Sequence, residues 1–236
     1  MTKATKRLFL CCATAVALSL VFAVVTRMSF RGEAVMNSVS YITDKNMTLG
    51  IDDSKEMNGQ YFSVDTLNIE ELYKTADLVV KASPCAGRIL FSRAVKTKLQ
   101  IKEVYKSDKR FVNEDIYMYE PCAVGLGGGL SFDSSGGYNI MDEKEEYVLF
   151  LKHVVQPDTL KKNAPAIVKE YLPVSAMYGK YSLKENKTLC LKKSNVEVGT
   201  TFYKQVKDYD IFVYDEKELE QYAINKEEVY KRFMLK

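Results

Sequence analysis

The stretch VKTKLQIK, residues 95 to 102, decides the fold class. Val95, Thr97, Leu99 and Ile101 alternate with Lys96, Lys98, Gln100 and Lys102. A period of two sends one set of side chains to a core and the other to water, which is a half-buried strand and argues for an antiparallel sheet. Upstream, NIEELYKTADLVVKAS places Asn68 and Glu71 at capping-box spacing, predicting a short helix over Ile69 to Lys74 that runs into a strand from Leu78 to Ser83. Downstream, DIYMYE (115–120) reads as a strand, and EYVLFLKH (146–153) as one whose unbroken apolar run implies burial on both sides or a place inside a closed barrel. EYLPVS (170–175), a hairpin in KYSLKENKTLCLKK turning near Asn186, and DIFVY (210–214) complete the strands.

The chain closes on a helical pattern, Leu219, Tyr222, Ala223, Lys226, Val229, Tyr230 and Phe233, with Asp215 and Glu218 available as its cap. Asn225 and Glu228 could start a separate helix. The strand pattern predicts a mainly β domain over 64–236, a small antiparallel barrel or sandwich with a C-terminal amphipathic helix; that it is an OB-like barrel is what the family resemblance given below implies.

At the other end, Leu8 to Val25 holds eighteen residues without a charge. At about 1.5 Å per residue such a helix spans roughly 27 Å, close to the bilayer core. Lys3, Lys6 and Arg7 precede it, so residues 1–7 should stay cytoplasmic and 8–25 should be a transmembrane signal anchor, with everything beyond Val25 outside the cell membrane. Cleavage after Val21-Phe22-Ala23, giving a secreted protein, is the alternative. Residues 26–63 read as a linker, with one short strand at Ser38 to Ile42. The acidic cluster Asp52, Asp53, Ser54 and Glu56 does not make a calcium loop, because Met57 stands where the turn glycine is needed.

Charge bears on partners. Of 34 basic residues three precede Val25, leaving 31 against 31 acidic ones in the rest. A formally neutral body argues against nucleic acid. The basic stripe Arg88, Arg93, Lys96, Lys98, Lys102 and Lys106, with Tyr105, Tyr117 and Tyr119 nearby, is the candidate ligand face. Lys96, Lys98, Lys102, Tyr117 and Tyr119 would meet an anionic envelope polymer, lipid headgroups or another envelope protein; a solvated strand face bearing edge-protecting lysines is the plainer reading.

The glycines of AVGLGGGLSFDSSGGY (123–138) do not form a phosphate loop. Leu130 replaces the third fingerprint glycine, the stretch has no lysine, and a strand follows it rather than a helix. Histidine occurs once, at His153, which excludes a histidine-rich metal site, and no cofactor is expected.

Over about residues 70 to 155 the succession ADLVV, KTKLQIKEVYK, DIYMY, a glycine-rich stretch and EKEEYVLFL resembles small exported Gram-positive proteins with an OB-like barrel of the tissue-inhibitor-of-metalloproteinase type. Those inhibitors chelate zinc through an amino-terminal cysteine, which no mature terminus here supplies. Thr188-Leu189-Cys190 with His153 resembles part of a sortase site, implying Cys190 as nucleophile and His153 as its partner, but the second Thr is missing and no arginine follows until Arg232. A purely structural envelope role is a further alternative. Outside the apolar segment the cysteines are Cys85, Cys122 and Cys190. Cys85 and Cys122 each follow a strand and are the disulfide candidates in an oxidising exterior, although two strand spacings set them roughly 10 Å apart unless the loops curl inward.

Overall fold

The structure is a computed structural model. It describes residues 45–54, 59–63, 67–107, 115–125, 130–154, 169–185 and 187–234, with residue 65 and positions 14, 16, 18–22, 34–36 and 39–43. The chain divides into two compact units, Met1–Ala34 and Val35–Lys236. Most of the expected membrane segment 8–25 lies outside the described residues. Its described positions, 14, 16 and 18–22, are helical, and Val16, Leu18, Leu20, Val21 and Phe22 are exposed. Among the described residues no helix is long and apolar enough to cross a membrane.

The second unit contains β3 (Leu78–Pro84), β5 (Val95–Lys106), β6 (Ile116–Glu120), β9 (Tyr147–His153) and β10 (Glu170–Pro173). They pair in the order β5, β3, β9, β10, β6, and β5 also pairs with β6, closing a five-stranded barrel. All pairings are antiparallel except β6 with β10, which is parallel. The expectation of a wholly antiparallel barrel is corrected here, and the reason is counting: an odd number of strands cannot alternate direction around a closed ring.

The alternation read in VKTKLQIK holds. Val95, Thr97 and Leu99 are buried, Lys98, Gln100 and Lys102 exposed, and Lys96 and Ile101 intermediate. The unbroken run of β9 is also explained. Tyr147, Leu149 and Leu151 join Leu78, Val80, Met118 and Tyr171 in one core cluster. Val148 and Phe150 join a second cluster with Ile69 and Leu72 of α2 (Ile69–Thr75) and with Tyr222, Val229 and Phe233 of the C-terminal helix. The strand is therefore covered by the barrel on one face and by helices on the other.

Helix α2 begins with the expected capping box, Asn68 Oδ1 accepting from the Glu71 N–H at 2.9 Å and Glu71 Oε2 from the Asn68 N–H at 3.0 Å. Helix α4 (Glu216–Val229) runs unbroken from its cap Asp215 through Asn225, so no second helix starts there. Its buried face is Tyr222, Asn225, Lys226 and Val229, whereas Ala223 is exposed.

Residues 36 to 52 depart from the linker expectation. The short helix α1 (Ser40–Thr43) stands where a strand was expected, β2 (Thr48–Asp52) is a strand, and Met36, Ile42, Met47 and Leu49 are buried in the core. β2 pairs in parallel with β8 (Ser131–Ser135), which pairs antiparallel with β7 (Cys122–Gly125). The glycine-rich stretch is thus the hairpin β7–β8, inserted between the third and fourth barrel strands. Beside it, Gly137 adopts φ +76°, and a Cβ there would lie 2.2 Å from the Phe212 carbonyl oxygen.

The expected 180–193 hairpin does not form: β11 (Lys180–Ser182) pairs with β9, and β12 (Thr188–Cys190) pairs in parallel with β13 (Ile211–Val213). The turn residue Asn186 lies outside the described residues. Short strands β1 (Ala34–Met36) and β4 (Arg88–Leu90) extend the sheet beyond β5, and α3 (Lys193–Glu197) follows β12.

Candidate functional site

The candidate ligand face is where β5, β6 and β10 meet. Register places Lys96 opposite Tyr119 and Lys98 opposite Tyr117, and the parallel pairing brings Glu170 against Tyr117. Lys96 Nζ lies 2.5 Å from Glu170 Oε1, and 4.8 Å and 5.5 Å from the Tyr117 and Tyr119 ring centres. Burial works against its charge, but the Glu170 hydrogen bond and carboxylate outweigh it, so the Lys96 pKa is raised. The Tyr119 hydroxyl donates to Glu170 Oε2 at 2.8 Å. Burial, then Glu170, raises its pKa, keeping it a neutral donor. Lys96 and Glu170 thereby fix the Tyr119 ring.

That ring lines a largely apolar cleft of about 310 Å³ with Tyr61, Phe62, Arg93, Pro121 and Leu172. Phe91, itself exposed, packs tilted against Tyr119 at 5.8 Å. Arg93 stands 3.8 Å from Asp52. The cleft is formed by the β3–β5 connection, the ends of β6 and β10, and residues 60–62.

The other lysines of the stripe are engaged within the fold. Lys98 pairs with Asp115 at 2.8 Å, an interaction that raises its pKa at an exposed site. Lys102 donates to Gln100 Oε1 at 2.8 Å. Lys106 Nζ donates to the carbonyls of Tyr73, Lys74 and Ala76, where its charge meets the negative end of α2. Arg88 is not on the surface at all. Fully buried, it donates to Thr97 Oγ1 at 3.1 Å, Glu143 Oε1 at 2.8 Å and the Met141 carbonyl at 2.5 Å, with Glu120 Oε1 at 3.3 Å. Glu120 Oε2 in turn accepts from Tyr138 and from the Met141 N–H. This network is a satisfied structural core of charge, since each buried group has partners.

Cys190 and His153 lie on different sheets. Cys190 is exposed on β12, its Sγ 3.6 Å from the Tyr214 carbonyl oxygen. Burial, with Glu216, Asp215 and Glu218 adding negative charge, raises its pKa, the direction opposite to the one an attacking thiolate needs. His153 ends β9, buried, its ring 4.5 Å from that of Tyr171 and its backbone N–H donating to Asp77 Oδ2 at 2.8 Å.

The expected pairing of Cys85 and Cys122 is not made; both thiols are free. After Pro121 the chain does not leave at the strand end but turns directly into β7, where Cys122 is buried opposite Ser134. Burial, then Glu120, pushes the Cys122 thiol well above its usual pKa.

Three functional candidates escaped the sequence reading. Tyr61, Phe62 and Phe91 sit in stretches without periodicity, and only their aromatic character in a polar setting marks them. Lys180 and Lys226 are both buried; Lys226 stands on the apolar phase of the C-terminal helix, whereas Lys180 shares its strand face with Ser182 and carried no such signal.

Among the described residues no three His, Cys, Asp or Glu side chains cluster as metal ligands would. Compared with known proteins, the chain matches no family model, no curated protein and no solved structure.

Proposed function

We propose that this chain is a non-catalytic binding module, held at the outer face of a cell membrane by residues 8–25, whose OB-like barrel grips an envelope glycan in the aromatic cleft beside Tyr119. The strand order supports the OB assignment. In chain order the barrel strands pair 1-2-3-5-4-1, with only the third and fifth parallel, and the cleft takes Tyr119 from the third strand, Leu172 from the fifth, and Arg93 and Ala94 from the loop that leads into the second, next to the second-and-third-strand face and first loop with which OB barrels bind their ligands. The uncharged length of 8–25, three preceding basic residues and the exposed apolar side chains at 16, 18 and 20–22 support the anchor.

The observation that carries the ligand class is the contrast between charge and ring surface. Lys96 and Lys98 pair with Glu170 and Asp115, which lowers their pull on an anionic polymer, while Tyr61 and Phe91 remain exposed beside a fixed Tyr119. Flat apolar faces edged by polar groups suit sugar rings.

Calorimetric titration of the full chain in micelles with purified wall glycan tests this. Tyr119→Ala should weaken binding by about five- to tenfold, on the order of 1 kcal/mol for one ring contact, and added salt should change it little. An unaltered affinity in Tyr119→Ala, or loss of binding on modest salt addition, refutes the aromatic grip.

A further inference from the structure

Among the described residues three cations are almost wholly buried, Arg88, Lys180 and Lys226. Arg88 has Glu120 and Glu143. Lys226 Nζ lies 2.6 Å from Asp210 Oδ2 and 3.2 Å from Ser182 Oγ. Lys180 alone lacks a carboxylate at ion-pair distance. Its Nζ donates to the Asn139 carbonyl and stands 4.0 Å over the Tyr138 ring, with the Tyr147 ring at 5.6 Å. An ammonium has three donors, and a desolvated one without a counter-charge costs several kcal/mol.

The position of Lys180 follows from its strand. On β11, Lys180 and Ser182 share one face, while Tyr181 points the other way into the cluster under the helices. The Lys180 face floors a polar cleft of about 430 Å³, walled by Asn139, Asp142, Tyr147, Lys207, Asp208 and Asp210, a volume within the usual range for small-ligand sites. Desolvation, opposed by Glu120 and Asp210, lowers the Lys180 pKa to about 8, so it is largely charged at neutral pH.

The rim has mixed sign. Lys184 is tied to Glu145 at 2.5 Å. Asp142, Glu185 and Asp208 supply negative charge, and Lys187 and Lys207 positive charge. A dianion reaching Lys180 would pass three carboxylates, whereas a ligand carrying both signs meets complementary charge at both depths.

We propose that this cleft binds a small zwitterion of amino-acid or dipeptide size, with its carboxylate on Lys180 Nζ and its ammonium toward the rim carboxylates. The site shares no lining residue with the Tyr119 cleft and stands apart from the glycan reading.

The test titrates the full chain in micelles with L-alanyl-L-alanine, N-acetylalanine, alanine amide and inorganic phosphate. Alanyl-alanine should bind saturably, N-acetylalanine more weakly and alanine amide not at all. Lys180→Met should lose at least about tenfold in affinity, as expected for removing a charged hydrogen-bond donor, while Tyr119→Ala should leave it unchanged. In the wild-type protein, carbon-13 NMR at the lysine ε-carbon should show the Lys180 pKa rising when alanyl-alanine binds, a response that a packing role does not produce. Absence of saturable alanyl-alanine binding, tighter binding of phosphate, wild-type affinity in Lys180→Met, or a Lys180 pKa unmoved by alanyl-alanine would each overturn the proposal.

Discussion

Replacing Lys180 by Met should stabilise the fold at neutral pH, and the gain should fade as pH rises. Lys180 falls from an ordinary 10.5 to about 8 because burial disfavours its charge. At about 1.36 kcal/mol per pKa unit, that gap weakens the fold by about 3 kcal/mol wherever the folded protein must keep the ammonium charged. The sign follows from proton counts. Between pH 8 and 10.5 the unfolded chain still holds the proton while the folded protein has released it, so stability rises with pH across that window. Below pH 8 the penalty is complete, and above 10.5 it is gone.

Met fills the site without charge, so the difference in unfolding free energy between variant and wild type should be largest at pH 7 and approach its floor near pH 10.5. Loss of the hydrogen bond to Asn139 lowers the whole curve by about 1 kcal/mol without changing its slope. Tyr138, Tyr147, Tyr203 and Tyr222 are all pushed upward by burial and weigh against the fold at alkaline pH, but both proteins carry them, so they cancel in the difference; Cys122, also pushed up by burial, is attracted by the Lys180 charge, so the difference reads Lys180 together with that coupling. Urea denaturation of each protein at pH 7, 8, 9 and 10 gives the curve. A difference independent of pH, or a variant less stable than wild type at pH 7, would refute the account of Lys180 as a buried ammonium without a counter-charge.

Gly137→Ala should cost about 3 kcal/mol or more, because a Cβ meets the Phe212 carbonyl oxygen at 2.2 Å and the backbone sits at φ +76°; Gly87→Ala, at φ +84° but in open space, should cost only about 1 kcal/mol. Denaturant midpoints compare the two, and equal losses would remove the clash argument. Alkylation followed by peptide mapping should modify Cys190 in the native protein and Cys122 only after unfolding, given their exposure and burial. A disulfide-linked peptide joining Cys85 to Cys122 would contradict the buried free thiol.

What the sequence showed and what it hid divide by the distance between partners. The alternation from Val95 to Lys102 and the Asn68 capping box are decided within a few residues, and both were readable. The β6–β10 pairing that closes the barrel joins Tyr117 to Glu170 and has no local signature. β2 was missed for a related reason. Gly50 reads as linker, yet it is the residue that lets the strand pass Asp133, where a Cβ would lie 2.4 Å from the carboxylate, and Leu49 alone carries the buried face.

The basic residues were visible, but their roles depend on chain far away. Lys96 turned inward to Glu170, 74 positions on, and Arg88 became a core residue because Met141 and Glu143, 53 and 55 positions on, return over it. Lys180 received only a carbonyl, from Asn139, 41 positions back. A lone lysine beside Tyr181 carries no mark in the sequence that separates it from Lys226, which gained Asp210. The missing counter-charge is a property of the assembled fold, and it is what makes this residue, rather than any in the lysine stripe, the strongest chemical anomaly in the described protein.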